Sequence, residues 1–287
     1  MVDDEEIFLG RYSSDNFSDF YSDYKNFIAK LDDAPLAVRK QFMLDGKNYD
    51  FKKLAVLFNS YKDKSNNILF RKSHKANDIT VDFWLCKVQN KVRFFEGLSV
   101  PSFNGLSEAD AIKILNTSLE DKAYLSIPSL LIKYGVIVIF EQTLPGLNLD
   151  GAVYSNQQGN PVISLSIRHN RIDNFWFTLA HELAHVILHY DSLSELILDD
   201  LDETIDLTHG KEFEANKLAG DMLISRRIWR SCPVKFSNDS LEIKQFSEEV
   251  GINPAILAGR LRKERNNYSL FTDIIHKEDL RRALFNG

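Results

Sequence analysis

The segment Phe177-Thr-Leu-Ala-His181-Glu182-Leu-Ala-His185-Val-Ile-Leu-His189 constrains this chain more than any other. Apolar residues surround the polar ones: Phe177, Ala180, Leu183, Ala184, Ile187 and Leu188. The pattern predicts a core-facing helix over residues 173–190. On a helix, His181 and His185 stand four apart, on one face and about one turn from each other. Burying two histidines and a glutamate without partners is costly. A metal ion removes that cost, because both imidazoles can face one cation. Glu182 then sits beside the cation, placed to take a proton from water rather than to bind the metal. Such a chain must bury this helix and bring at least one further ligand to it.

Where that ligand lies is the next question. A close-following ligand would need a glycine turn at position 188 and a donor at 191. Position 188 is Leu188, which favours continued helix, so Asp191 is a poor choice. The better source is the run Lys211-Glu212-Phe-Glu214-Ala-Asn216-Lys-Leu-Ala-Gly-Asp, whose apolar residues give a second helix a face to pack. Glu212 and Glu214 are both candidates. Asn216, four residues after Glu212, can support a ligating histidine from behind. Four residues are candidates to stabilise a developing oxyanion: Tyr154, His169, His189 and His209.

Composition narrows the class. Of 287 residues, 44% are hydrophobic and 26% charged, which suits a globular protein and excludes a disordered or collagen-like chain. Cys86 and Cys232 are the only cysteines, too few for a disulfide framework or a cysteine zinc knuckle. The longest apolar runs, such as residues 134–140, fall far short of a membrane span. The first residues, Met-Val-Asp-Asp-Glu-Glu, are acidic where a secretory signal is basic. A cytoplasmic location is expected. The net charge of −6 argues against bulk binding to nucleic acid. The acidic run at 199–206 reads as a solvated loop.

Along the chain, residues 1–15 form an acidic lead-in. Phe17, Phe20, Tyr21, Tyr24, Phe27, Ile28 and Leu31 then fall at helical spacing, an aromatic stripe that reads as core. Helices are expected over 51–61, 80–96, 107–119 (with Ser107 as its cap), 127–134, 212–223 and 228–232. Strands are expected over 136–140, 152–154 and 162–167, with a hairpin-like turn at 157–160. The strand at 162–167 is a candidate cleft edge, where an extended peptide could add. Residues 241–250 and 254–264 read as a helix pair around Gly251. Its basic residues Arg260, Arg262, Lys263 and Arg265 form either a solvated face or a DNA-touching helix-turn-helix.

The run Gly151-Ala … Pro161-Val-Ile-Ser-Leu-Ser … Phe175-Trp-Phe-Thr-Leu-Ala-His-Glu-Leu-Ala-His, followed by Glu212-x-x-Ala-Asn, resembles the ImmA/IrrE metallopeptidase family. The likeness is closest to the branch fused to HigA-type antitoxins and extends from about residue 106 to 229. Residues 246–261 resemble that branch's tail, and Leu69-Phe-Arg-Lys-Ser and Phe83-Trp-Leu its linker. The resemblance implies an α+β, gluzincin-like zinc peptidase domain: a small twisted sheet packed on the HExxH helix and a glutamate-bearing helix. The stretch Gly97–Gly105, with Pro101 and two glycines, is the expected boundary between a mainly helical N-terminal region at 1–100, of unknown role, and a peptidase domain at 101–287 with a helical tail, and the histidine pair predicts one Zn²⁺ per chain. The ligands would be His181, His185 and Glu212, with Glu182 as general base. The implied substrate is a cytoplasmic regulatory protein, a repressor or antitoxin, cut at a limited site. In the other reading the chain is a HigA-like regulator whose metal domain senses or scaffolds. That branch usually starts with a helix-turn-helix, whereas residues 1–60 are aromatic and acidic and show no such pattern. DNA is therefore not the favoured partner, and no membrane partner is expected.

Overall fold

The computed structural model describes residues 17–66, 79–194, 196–199 and 210–285. The acidic lead-in, the stretch 67–78, most of the acidic run and His209 lie outside the described residues. The chain divides into two compact units, Met1–Asn90 and Lys91–Gly287.

The first unit is helical. It contains α1 (Phe17–Asp33), the single turn α2 (Leu36–Arg39), α3 (Phe51–Asn66) and most of α4 (Ile79–Glu96). The aromatic stripe is core only in part: Phe20, Tyr24 and Ile28 are half-buried, Tyr21 is 51% exposed, and the side chain of Phe17 lies outside the described residues. Phe27 and Leu31 are fully buried, and the Phe27 ring lies 5.4 Å from Phe58 and 6.0 Å from Phe83. Rings at such separations gain edge-on attraction beyond the area they bury.

The second unit mixes sheet and helix. Helix α5 (Glu108–Asn116) is capped by Ser107, whose hydroxyl accepts from the Asp110 amide at 3.1 Å. Helix α6 (Ile127–Leu131) continues as a tighter turn to Tyr134 and ends at Gly135. The four strands are β1 (Ile137–Phe140), β2 (Gly151–Ser155), β3 (Pro161–Leu165) and β4 (Ile197–Asp199). Their order in the sheet is β1-β3-β2-β4. Strand β3 runs parallel to β1 and antiparallel to β2, with Ile163 opposite both Val138 and Val153. The hairpin expected at 157–160 joins β2 to β3; Asn156 closes it by accepting the Asn160 amide at 2.8 Å. Strand β3 is hydrogen-bonded on both sides, so it cannot be the cleft edge that its sequence position suggested. The strand nearest the chemistry is β2 instead.

Helix α7 (Ile172–His189) packs on β2 and β3. It is apolar almost all round, and fourteen of its eighteen residues are buried. A helix of that kind belongs inside a core. Trp176, Leu179 and Leu183 are all but inaccessible. Each such side chain contributes roughly 1.5–3 kcal/mol by leaving water. Helix α8 (Lys211–Leu223) makes the most extensive contact with α7. Both bury alanines (Ala180 and Ala184, Ala215 and Ala219), which leave little bulk to hold the backbones apart.

After α9 (Arg226–Arg230), helices α10 (Ser240–Val250) and α11 (Pro254–Glu264) form the expected pair around Gly251, and α12 (Thr272–Ile275) and α13 (Leu280–Phe285) follow. The helix-turn-helix reading of this pair fails on its arginines. Arg262 is buried and donates to the Tyr268 carbonyl. The Arg260 guanidinium lies 4.0 Å over the Trp229 ring and donates to the Ile224 carbonyl at 3.3 Å. Both cations serve packing and are not presented to phosphates.

Candidate metal centre

The sequence puts two i, i+4 pairs on two helices, and the fold interlocks them. His181 and His185 of α7 turn their Nε2 atoms toward each other, 3.0 Å apart. Glu212, in the first turn of α8, faces both: Oε2 is 3.2 Å from His181 and Oε1 is 3.4 Å from His185. The three ligand atoms lie within 4.8 Å of one another. One turn along α8, Asn216 Oδ1 is 3.2 Å from His181 Nδ1. With an oxygen as its partner, Nδ1 carries the hydrogen and the Nε2 lone pair points into the cluster.

This donor set fits a divalent cation. Two imidazole nitrogens and a carboxylate, converging in a largely buried site, match the ligand types of a catalytic zinc centre with an open fourth position. The electrostatics agree. Burial alone would raise the Glu212 carboxyl, but the two imidazoles hold it down, at about 2, so it stays an anion. Burial pushes His185 below its ordinary 6.5, only partly offset by Glu212, so the imidazole favours its neutral, ligating form.

Glu182 is buried and presses on β2. A Cβ built on Gly151 would stand 2.1 Å from Glu182 Oε1 and 3.0 Å from Thr178 Cγ2. No side chain fits there, so the glycine that opens β2 leaves the room for this carboxylate.

The remaining candidates separate clearly. Glu214 is not part of the cluster; its Oε2 lies 3.5 Å from His189 Nε2. His189 is further engaged by the Lys211 carbonyl, 3.3 Å away. Tyr154 is buried on β2 and, by strand alternation from Gly151, points to the opposite face from Glu182. His169, in the loop before α7, is part-exposed, with Nε2 3.8 Å from Asp150 Oδ1. His209 lies outside the described residues.

A cavity of about 440 Å³ lies behind His181, on the side of Asn216. Its wall includes Asn216, Phe177, His169, Asp150, Tyr268 and Lys263. Asn216 and Phe177 both adjoin His181, the second with ring centroids 6.4 Å apart.

Residues 133–262 match the model of the IrrE N-terminal-like domain, peptidase family M78. This segment is an ImmA/IrrE-family domain. The match spans β1 to α11 and so contains every ligand named above. The family is one of metallopeptidases, and the cluster supplies the metal site such a domain needs. No curated protein matches the chain. No helix among the described residues is long and apolar enough to cross a membrane.

Two positions of this ImmA/IrrE segment escaped the sequence reading as functional residues. Gly151 was visible only as part of the family-like run. The available signal was a glycine where a strand residue should carry a side chain, upstream of the HExxH helix. Asp150, which holds Arg168 at 2.9 Å and faces His169, lacked any signal because its partners follow by eighteen and nineteen residues.

Proposed function

We propose that this protein is a zinc-dependent endopeptidase of the HExxH, gluzincin-like type. Its substrate is a cytoplasmic regulatory protein, of repressor or antitoxin type, cut at a limited site. The observation that carries the reading is the convergence of His181, His185 and Glu212 at one buried point. Helices α7 and α8 each supply ligands, so the site exists only in the folded chain.

In this mechanism His181, His185 and Glu212 would hold Zn²⁺, and Asn216 fixes the His181 ring. A bound zinc ion supplies Lewis acidity, drawing the pKa of water toward neutrality and polarising a peptide carbonyl. Glu182 accepts the proton as the water oxygen attacks the carbonyl carbon. It then passes that proton to the amide nitrogen as the C–N bond breaks. Gly151 leaves the room in which the Glu182 carboxylate lies. His169, on the cavity wall with its Nε2 3.8 Å from Asp150, is the oxyanion donor we favour by elimination. Among the other candidates, Tyr154 faces away and His189 is held by Lys211 and Glu214.

The test is a comparison of wild type with Glu182→Gln in the native host. Fragments of a regulatory protein should appear with wild type and vanish with the variant, while both proteins carry about one zinc per chain. Loss of the proton carrier should slow cleavage by about 10²–10⁴-fold. Full biological activity in the variant would defeat the peptidase reading and favour a sensor or scaffold role for the metal domain.

A further inference from the structure

We infer that the cavity beside His181 is a subsite for an acidic side chain of the substrate, with Lys263 as its counter-charge. The inference rests on the peptidase reading and adds a substrate preference to it.

Size and position come first. At about 440 Å³ the cavity can take a large side chain with part of its backbone. Its wall shares Asn216 and Phe177 with the surroundings of His181, on the Nδ1 side of that ring, so an occupant sits behind His181 and reads a residue at a short remove from the bond being cut.

Charge decides what the occupant is. Three carboxylates line the cavity, and each is already matched to a cation. Asp150 holds Arg168 at 2.9 Å, Asp173 holds Arg171 at 2.6 Å, and Glu264 lies 3.4 Å from Arg260. Lys263 has no carboxylate partner among the described residues. Its ammonium instead rests 4.9 Å from the centre of the Phe177 ring. A lysine ammonium over an aromatic face remains available to an anion. Phe177 and Tyr268 supply apolar surface for the aliphatic stem of a Glu or Asp. An incoming Lys or Arg would meet Lys263 and no unmatched carboxylate.

The experiment uses the full chain loaded with zinc. A proteome-derived peptide pool is digested and the new termini are sequenced, with Glu182→Gln as the blank. Wild type should show Asp and Glu enriched at one fixed position near the cut, by about fivefold, the scale of a solvent-accessible ion pair. Lys263→Glu should keep its zinc and its cleavage, erase the acidic enrichment and favour Lys or Arg at the same position. Lys263→Gln should erase the enrichment without the reversal. A flat profile, or one unchanged by Lys263→Glu, overturns the inference while leaving the peptidase reading intact. Enrichment tied to free C-termini, and lost when the pool is amidated, also overturns it. Absence of cleavage by wild type defeats the peptidase reading. The pocket is then judged by binding alone, using a capped, fluorescent hexapeptide pool with Glu or with Gln at matched positions. Equal dissociation constants for the two pools overturn it, and tighter binding of the Glu pool that Lys263→Glu abolishes supports it.

Discussion

Helices α7 and α8 meet twice through the same residue types, with opposite results. At one meeting His181 and His185 converge on Glu212. One turn along, His189 meets Glu214. The spacing along α7 is identical, four residues each time, and the glutamates are two apart. The Glu212 side chain is 22% exposed, whereas that of Glu214 is 60% exposed. His181 and His185 commit both Nε2 atoms to one point, whereas His189 turns its Nε2 partly to a backbone carbonyl. A ligand set therefore needs more than the right residues at the right interval. It needs donors that converge where water cannot satisfy them instead.

The contrast can be broken most severely at Glu212. Glu212→Ala removes the only anionic ligand of the cluster. Zinc affinity, measured by competition with a chromophoric chelator, should fall by more than about 100-fold, beyond the range of an outer partner. Retention of near-normal affinity would mean that the two meetings are not different in kind.

Gly151→Ala attacks the same meeting from the sheet side. The new methyl overlaps the Glu182 carboxylate, so cleavage should drop toward the level of Glu182→Gln while zinc stays bound. Overpacking of this kind should cost about 1–3 kcal/mol in a denaturation titration. An alanine variant with full activity would show that the carboxylate does not need its place beneath β2. Asn216→Ala should be milder: about 10–100-fold in zinc affinity, with the chain still folded.

Acid sharpens the comparison in the metal-free protein. His185 is depressed below 6.5 by burial, so the unfolded chain binds more protons there than the folded one. Stability is therefore lost as pH falls through 6.5. Glu212, held at about 2 against an ordinary 4.5, adds a further loss as pH falls from about 4.5 toward 2. Thermal melts in chelator should show both steps, and Glu212→Gln should remove the lower one. A melting temperature independent of pH from 7 to 3 would contradict this.

Much of this was legible in the sequence because it is local. The HExxH spacing, the alternating and continuous apolar runs, Ser107 as a cap and Gly135 as a stop each depend on residues within a few positions of one another. Glu212 was legible as the favoured of two glutamates on an amphipathic helix, and the resemblance agreed with that choice. What the sequence hid is what depends on register between elements. Whether β3 is central or at the edge is set by pairing with β1 and β2, not by its own apolar run. The basic residues after Gly251 look alike in sequence, yet Arg262 is buried and Arg260 stacks on Trp229, whereas Lys263 faces a cavity. Gly151 and Glu182 are thirty-one residues apart, and no periodicity links them.

The smallest effect is expected at the second meeting. Glu214 is exposed and touches His189 alone of the site residues, at 3.5 Å, a distance at which a solvated pair contributes little. Its place in the first turn of α8 adds a modest favourable interaction with the helix dipole, about 0.3–1 kcal/mol. Glu214→Ala should therefore leave zinc affinity within about twofold and stability within about 1 kcal/mol. The same holds for the cleavage profile, because neither Glu214 nor His189 lines the cavity beside His181. A tenfold loss of zinc from this variant would mean that the His189 meeting feeds the first one, through the His185 ring that lies 5.4 Å from His189. The two meetings would then be one extended site, and the distinction drawn from burial and convergence would not hold.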